Sequence, residues 1–249
     1  MLKRLIVIAC ILGTWAQAKN LTVALAANVS YAINDIQKAF NQKHPDIKLR
    51  IILGSSGKLT AQIQNGAPYD IFMAANMKYP QSLYDSGKAI TNPIVYAQGA
   101  LAMLSKKEQE FTKGLNLLLD SKIDKIAIAN PKTAPYGKAS IDAFKSAKIY
   151  ENIKSKLIYA ESISQTVSYT ITAADIGLIA ASSLYSDKMQ KYQKNRHWVA
   201  VDTTLYEPIN QGIVILKRAK VNKDAKAFYD FILSDEAKVI LKKYGYIVP

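Results

Sequence analysis

Short apolar runs alternate along this chain with amphipathic segments, and this alternation limits the possible folds more than any other feature. Between the runs, apolar residues recur at helical spacing, as at Ile33, Ile36 and Phe40. Strands that alternate with helices form mainly parallel sheets with helices on their faces. The runs that predict buried strands are Leu21–Ala26, Lys48–Leu53, Asp70–Ala74, Ile126–Ala129, Leu157–Ala160, Ile176–Ala180 and Gln211–Leu216. The sequence therefore predicts an α/β protein.

The predicted strands fall into two sets, which indicates two lobes. Pro93–Leu104 is predicted to be a long extended crossing between them. Two C-terminal helices, about Asp224–Leu233 and Asp235–Tyr244, return the chain to the first lobe, and Asp235 is a predicted N-cap and Gly245 a predicted C-cap. The predicted boundaries are 1–18 for an export signal, 19–97 with 206–249 for the first lobe, and 98–205 for the second lobe.

The N-terminal segment has the anatomy of a secretory signal peptide. Lys3 and Arg4 form a basic start, Leu5–Gly13 is an apolar run too short to span a bilayer, and Ala16–Ala18 is a small-x-small cleavage site. Cleavage after Ala18 would remove the one cysteine, Cys10, and leave a mature chain without disulfides or thiol chemistry. The sequence thus predicts export to the periplasm.

The chain is strongly basic, with 33 lysines and arginines against 19 acidic residues and a formal charge of +14. Such a balance is typical of proteins that bind nucleic acid, an anionic membrane or an anionic ligand. The basic residues are spread along the chain, without an arginine-rich arm or interleaved aromatic residues, and export argues against nucleic acid. A solvated basic surface, with long-range attraction of an anion, is therefore the favoured interpretation.

Signals for an enzyme are weak. His44 and His197 are the only histidines, and neither has metal-ligand spacing or lies near a nucleophile motif. Gly54–Lys58 departs from the phosphate-loop pattern at two positions, so ATP binding is not supported. A carboxylate pair of Glu161 and Asp175 stays open as an acid–base alternative. We predict neither enzymatic activity nor a cofactor.

Three loops share a feature that points to an anion. Ala26–Ser30, Gly54–Gly57 and Pro135–Gly137 each lie after a predicted strand, carry small or hydroxyl-bearing residues and open a predicted helix. Helix starts present unpaired N–H groups and about half a positive charge, so they bind anions without a salt bridge. The alternative, that Asn28 and Ser56 are only helix N-caps, stays open.

Three sequence blocks resemble the periplasmic molybdate-binding proteins of ABC transporters. They are Thr22–Val23 with Ala26–Asn28, Gly54–Ile63, and Gly66–Ala75 with its Gly-Ala-Pro-Tyr-Asp-Ile-Phe run. Ala227–Phe231 and Lys243–Tyr246 are similar to that family's closing helices, so the resemblance covers essentially the whole mature chain. It implies a type II periplasmic binding fold, in which two lobes and two hinge crossings enclose the oxyanion.

The resemblance also implies a ligand-binding set: Asn28, Ser56, Tyr136, Ile163, Ala27 and Ser55. Asn28 and Ser56 stand where members have side-chain donors. Tyr136 stands where members supply a backbone amide and in some cases a tyrosine hydroxyl, and Ile163 where members supply a backbone amide. Many members have a ligand-binding tyrosine where this chain has Ala180, and whether Tyr136 replaces that donor is left open.

The sequence as a whole predicts an exported, monomeric binding protein that captures molybdate or tungstate by hydrogen bonds from donors alone. It would deliver the ion to a membrane ABC permease and would not bind nucleic acid. A binding protein for another oxyanion, such as sulfate or phosphate, is the nearer alternative. An enzyme on the same two-lobed fold is the more distant one.

Overall fold

The computed structural model describes residues 20–249, and the predicted export signal lies outside them. Within these residues no helix is long and apolar enough to cross a membrane. The strands are β1 (Leu21–Ala26), β2 (Leu49–Gly54), β3 (Ile71–Ala74), β4 (Ile94–Gly99), β5 (Leu101–Leu104), β6 (Ile126–Ala129), β7 (Leu157–Ala160), β8 (Ile176–Ala180), β9 (Trp198–Ala200) and β10 (Ile209–Ile215). The α-helices are α1 (Ile33–Lys43), α2 (Ser56–Gln64), α3 (Lys78–Asp85), α4 (Pro135–Ser146), α5 (Tyr150–Ile153), α6 (Ile163–Thr172), α7 (Lys223–Leu233) and α8 (Asp235–Lys243).

The strands form two five-stranded sheets. The first has the order β2-β1-β3-β10-β4, and we call it, with α1 to α3, α7 and α8, lobe 1. The second has the order β7-β6-β8-β5-β9, and with α4 to α6 it forms lobe 2. In each sheet one strand, β10 or β5, runs against the others. The predicted α/β class with mainly parallel sheets in two lobes is confirmed.

Burial of apolar side chains explains why the short runs became strands. Every residue of β1, β3, β5 and β6 is buried, as expected for strands covered by helices on both faces. In lobe 1, Phe40 of α1 packs against Phe228 and Phe231 of α7, at centroid distances of 5.1 and 5.4 Å. Each such aromatic pair contributes about 0.5–1.5 kcal/mol beyond its area burial. These contacts hold the C-terminal helix α7 against α1 in lobe 1.

The chain crosses between the lobes twice. The predicted extended run Pro93–Leu104 is two strands, because β4 ends at Gly99 in one sheet and β5 begins at Leu101 in the other. The return crossing lies between β9 and β10. The sheets change within a few residues of the predicted boundaries at 97/98 and 205/206, and the boundaries themselves stay a prediction.

Two helix-end predictions have different outcomes. Asp235 is the first residue of α8 rather than its N-cap, because the Ser234 hydroxyl accepts the hydrogen bond from the Ala237 amide. Gly245 ends the helix as predicted: its φ of +75° is in the left-handed region, and its amide donates to the Lys242 carbonyl. Strand β9 was not predicted.

Candidate ligand-binding site

A small cavity of about 10 Å³ lies between the two lobes, where the connections that follow β1, β2, β3, β6 and β7 meet. Its lining residues are Ala26, Ala27, Asn28, Gly54, Ser55, Ser56, Ala75, Ala134, Pro135, Tyr136 and Ile163. All six residues of the predicted ligand-binding set are in this lining. Among residues 20–249, no charged side chain contributes to it. The structure thus brings the predicted donors to one uncharged cavity that both lobes enclose.

A larger groove of about 1040 Å³ also opens between the lobes, alongside α1 and α6. It contains Ser162 and Ser164 but none of the six predicted ligand-binding residues. Its walls carry exposed acidic and basic side chains, including Asp35 and Lys191. We assign the ligand site to the small cavity, because two of the buried unpaired polar atoms of the described residues, Asn28 Oδ1 and Ser55 Oγ, belong to residues of its lining, and none belongs to the lining of the groove.

The start of α2 supplies hydroxyl and amide donors from lobe 1. Ser55 occupies the N-cap position, yet its hydroxyl caps nothing, and its buried Oγ has no hydrogen-bond partner among the described residues. The Oγ of Ser56 accepts from the Ala75 amide at 2.9 Å, which leaves its hydroxyl hydrogen free to donate. The Ser56 amide is in the first turn, where no carbonyl of the helix reaches it. Neither serine is therefore explained by helix capping.

The starts of α4 and α6 supply amides from lobe 2. Pro135 is the first residue of α4 and has no N–H, so the Tyr136 amide is the first donor of that helix. In α6 the Ser162 side chain caps the Gln165 amide at 3.3 Å, and the Ile163 amide lies one residue beyond this cap. Both amides belong to the first turn, so helix geometry leaves them without an intrahelical acceptor.

Asn28 is fully buried in the short 3-10 segment Ala27–Tyr31, and its side chain differs from the prediction. Its Nδ2 donates to Gln211 Oε1 at 2.8 Å and to the Tyr246 hydroxyl at 2.9 Å. Its Oδ1 has no partner among the described residues. The sequence predicted that Asn28 donates to the ligand, whereas in this structure its unpaired side-chain atom is an acceptor.

Direct contacts between the lobes close the cavity. The Gly57 amide in α2 donates to the Thr133 carbonyl of lobe 2 at 2.8 Å, and the Ser182 hydroxyl donates to the Asn28 carbonyl at 3.1 Å. A Cβ at Gly57 would lie 2.9 Å from the Thr133 carbonyl oxygen, so this close approach requires glycine. Lys58 and Glu161 add an exposed interlobe ion pair at 2.5 Å.

The remaining predicted candidates have structural roles elsewhere. Ala180 is buried at the end of β8 and does not line the cavity. Glu161 pairs with Lys58, and the Asp175 carboxylate accepts from the amides of Asp124 and Lys125. Within residues 20–249, no cluster of His, Cys, Asp and Glu has the geometry to hold a metal ion. These placements leave no carboxylate pair facing the cavity.

The sequence analysis did not identify Gln211 and Tyr246, which form hydrogen bonds with the Asn28 side chain but do not line the cavity. Gln211 lies in the predicted strand Gln211–Leu216, and a polar residue in an otherwise apolar buried strand was the available signal. Tyr246 follows the C-terminal helix and has no comparable signal. Its hydroxyl also donates to the Asn28 carbonyl at 3.0 Å, which fixes the backbone of this residue.

These features together define a two-lobed solute-binding protein, with an uncharged site enclosed between lobes that the chain joins twice. The family model of bacterial extracellular solute-binding proteins matches residues 21–247. Within that class, the chain belongs to the molybdate-binding proteins called ModA.

The relatives match this chain over nearly its whole length. The molybdate-binding protein ModA of Azotobacter vinelandii is 36% identical over 98% of this chain and 97% of its own length, and that of Rhodobacter capsulatus is 34% identical over 93% and 90%. The solved periplasmic molybdate-binding protein of Azotobacter vinelandii superposes with a TM-score of 0.85 at 29% identity, covering 92% of this chain and all of that chain. The sulfate-binding protein SubI of Mycobacterium tuberculosis, at 12% identity and a TM-score of 0.76, shares the fold alone; the match covers 92% of this chain and 87% of that one.

The comparisons confirm the predicted resemblance and the two-lobed fold. They also confirm that the chain is a transport protein rather than an enzyme, since its relatives are substrate-binding proteins. The relatives are named for an oxyanion ligand and not for a cofactor.

Burial changes the acid–base behaviour of the phenols around Asn28. It raises the pKa of Tyr246 from its ordinary value of 10.0 to about 12, and it raises the pKa values of Tyr96 and Tyr136 well above that ordinary value. These hydroxyls therefore remain protonated throughout the neutral range. For Tyr246 the stabilising contribution is complete below about pH 10 and is lost as the pH rises toward 12.

We predict that Tyr246→Phe reduces the loss of stability at alkaline pH. Because the folded-state pKa lies above the unfolded-state value, the wild-type protein should lose up to about 3 kcal/mol from this one phenol between pH 10 and 12. Urea unfolding at a series of pH values measures this loss. An identical alkaline decline in the wild-type and variant proteins would contradict the assignment.

Proposed function

We propose that this protein is exported, binds molybdate or tungstate in the interlobe cavity and delivers the ion to a membrane ABC permease. It acts as a monomer, and cleavage after Ala18 releases it into the periplasm. The relatives named as molybdate-binding proteins and as an ABC transporter substrate-binding lipoprotein support this proposal. So do the site geometry and the basic character of the chain, which attracts anions over long range.

One observation carries the proposal: the starts of α2, α4 and α6 meet at one cavity, and no side chain that residues 20–249 contribute to its lining is charged. Each of these helices contributes unpaired amides and about half a positive charge at its start. Neutral donors and helix starts are sufficient to bind an anion. Helices from both lobes contribute, so the complete set of donors exists only when the lobes are closed.

The proposed ligand contacts combine hydroxyls and amides. Ser55 and Ser56 donate through their hydroxyls, and Ser56, Tyr136 and Ile163 through their amides. Charge-assisted hydrogen bonds of this kind contribute about 1.5–3 kcal/mol each. Together they outweigh the desolvation of a dianion only if every oxygen is served, which favours a small tetrahedral ion over a larger organic acid.

Closure of the lobes is the proposed capture step. An ion bound to one lobe gains the donors of the other only when the cleft shuts, so the ligand stabilises the closed state. The Gly57–Thr133 hydrogen bond and the Lys58–Glu161 ion pair belong to that state. The ion is therefore enclosed before the protein meets the permease.

A thermal-shift panel of molybdate, tungstate, sulfate and phosphate tests the function. We expect molybdate and tungstate to raise the melting temperature most, because a ligand that binds only the folded state stabilises it in proportion to the logarithm of its concentration over Kd. A larger shift with sulfate or phosphate would assign the protein to that oxyanion instead. No shift with any of the four would contradict oxyanion binding.

We predict that Ser56→Ala weakens molybdate binding by about tenfold or more. The variant lacks one charge-assisted hydrogen bond to the ion. Titration calorimetry measures the affinity. Ser140→Ala is the matched control, because Ser140 is equally buried but bonds only the Tyr136 carbonyl, outside the cavity lining. Equal affinities for the Ser56 variant and the wild-type protein would remove Ser56 from the site.

We also predict that Gly57→Ala impairs closure without altering the cavity lining. The added methyl group would press on the Tyr79 hydroxyl, which is the end of a side chain in lobe 1 and can turn aside, and on the Thr133 backbone, a contact that separation of the lobes relieves. Small-angle scattering with and without molybdate should show compaction in the wild-type protein and less in the variant, with weaker binding. Lys58→Ala is the control, since loss of an exposed ion pair changes stability by about 1 kcal/mol or less. Wild-type compaction in Gly57→Ala would contradict the interpretation.

A further inference from the structure

A buried polar network behind the cavity centres on Gln211. Its side chain is fully buried in β10 and contacts residues of both lobes. Gln211 Oε1 accepts from Asn28 Nδ2 at 2.8 Å and from the Tyr96 hydroxyl at 2.9 Å. Its Nε2 donates to the Tyr136 hydroxyl at 3.3 Å. Gln211 is therefore in contact with two residues of the cavity lining without itself lining the cavity.

In this arrangement the Asn28 side chain suits a protonated oxyanion better than a fully ionised one. Gln211 and Tyr246 take both N–H groups of its amide, so Oδ1 is the unpaired atom of a side chain that lines the cavity. A carbonyl oxygen can only accept a hydrogen bond. It therefore suits an oxyanion that carries a proton, such as hydrogen phosphate, and repels one that carries none, such as molybdate.

The same atoms admit one other consistent arrangement, in which the amides of Asn28 and Gln211 each rotate by 180°. Gln211 Nε2 then donates to Asn28 Oδ1 and to the Tyr96 oxygen, while Gln211 Oε1 accepts from the Tyr136 hydroxyl. The Tyr246 hydroxyl donates to Asn28 Oδ1. An amide rotation exchanges a donor for an acceptor of nearly equal shape, so no other side chain has to move.

The reversed arrangement frees Nδ2 of Asn28 for the ligand. It has two local costs: the Tyr96 hydroxyl hydrogen loses Gln211 Oε1 as acceptor, and the Asn28 carbonyl loses the Tyr246 hydroxyl, whose one hydrogen now goes to Asn28 Oδ1. The Asn28 backbone does not need to change, because the Ser182 hydroxyl still donates to its carbonyl. The Asn28 and Gln211 amides are coupled, since two facing oxygens or two facing N–H₂ groups cannot form a hydrogen bond.

We propose that Gln211 is a specificity-determining residue, whose amide orientation decides whether Asn28 presents a donor or an acceptor to the oxyanion. The inference rests on the proposed function of the cavity as an oxyanion site. With Gln211 Nε2 toward Asn28, the cavity presents donors alone and selects fully ionised ions. With Gln211 Oε1 toward Asn28, the cavity contains one acceptor and tolerates a protonated ion. An oxyanion without a proton stabilises the first orientation.

Gln211→Glu tests this inference, because a carboxylate has only acceptor oxygens and holds Asn28 through Nδ2. The readout is the ratio of molybdate to hydrogen phosphate affinity, measured by titration calorimetry at pH 8.5. Both ions are dianions at this pH, so the added negative charge repels them equally and cancels in the ratio. We expect the ratio to fall at least tenfold. An unchanged ratio would overturn the proposal.

Tyr96→Phe is the matched control. It removes a buried hydrogen bond to the same glutamine but leaves the amide free to take either orientation. For Tyr96→Phe, we expect the ratio of molybdate to hydrogen phosphate affinity to stay within about threefold of the wild-type ratio or to shift toward molybdate, even if the melting temperature falls. An equal loss of selectivity in both variants would show that the network is only structural and would overturn the proposal.

Neutron diffraction of the deuterated wild-type protein with molybdate gives an answer that does not depend on whether the variants fold. We expect the Nδ2 deuterons of Asn28 to face the anion and those of Gln211 Nε2 to face Asn28 Oδ1. Asn28 Nδ2 still bonded to Gln211 Oε1 would contradict the inference while leaving oxyanion binding intact. Failure of the wild-type protein to bind any tetrahedral oxyanion would instead contradict the proposed function, and the inference with it.

Discussion

The binding site depends on the unpaired backbone N–H groups at the starts of three helices. Strand β2 leads to α2, β6 to α4 and β7 to α6, so each helix begins beyond the carboxyl end of a parallel strand. Ligands bind at this edge of open α/β sheets. Because the edges of the two lobes face each other, amides from both converge on one cavity, and in the proposed function they hold an anion there without a cation from the protein.

In the proposed specificity mechanism, the polar side chains behind the cavity determine what kind of anion the converging amides accept. Asn28, Gln211 and the surrounding phenols exchange hydrogen bonds in a region without solvent access. Water cannot compensate for a mismatched donor or acceptor there, so each orientation has a large energetic effect. Selectivity, as proposed for this protein, therefore depends on residues that contact the ligand and also on the amide that orients one of them.

Much of the fold follows from local patterns in the sequence. The apolar runs identified most strands because buried strands leave a short, continuous apolar signal. Three details of the fold did not follow from the sequence. Trp198–Ala200 is too short for a clear pattern, the run Pro93–Leu104 divides between two sheets, and Ser234 caps α8 in place of Asp235. In each case the deciding factor was a partner strand or a turn geometry, which residue type alone does not specify.

The candidate site likewise has features that the sequence predicts and features that only the tertiary structure decides. The sequence by itself determined the helix starts, because caps and spacing are local properties, and its family resemblance predicted Ser56 and Tyr136 as ligand donors. Only the tertiary structure decided that these donors share a cavity and that Asn28 is held by Gln211, 183 residues away. Such a contact depends on how two sheets pack and on where β10 enters lobe 1, and no local pattern records it.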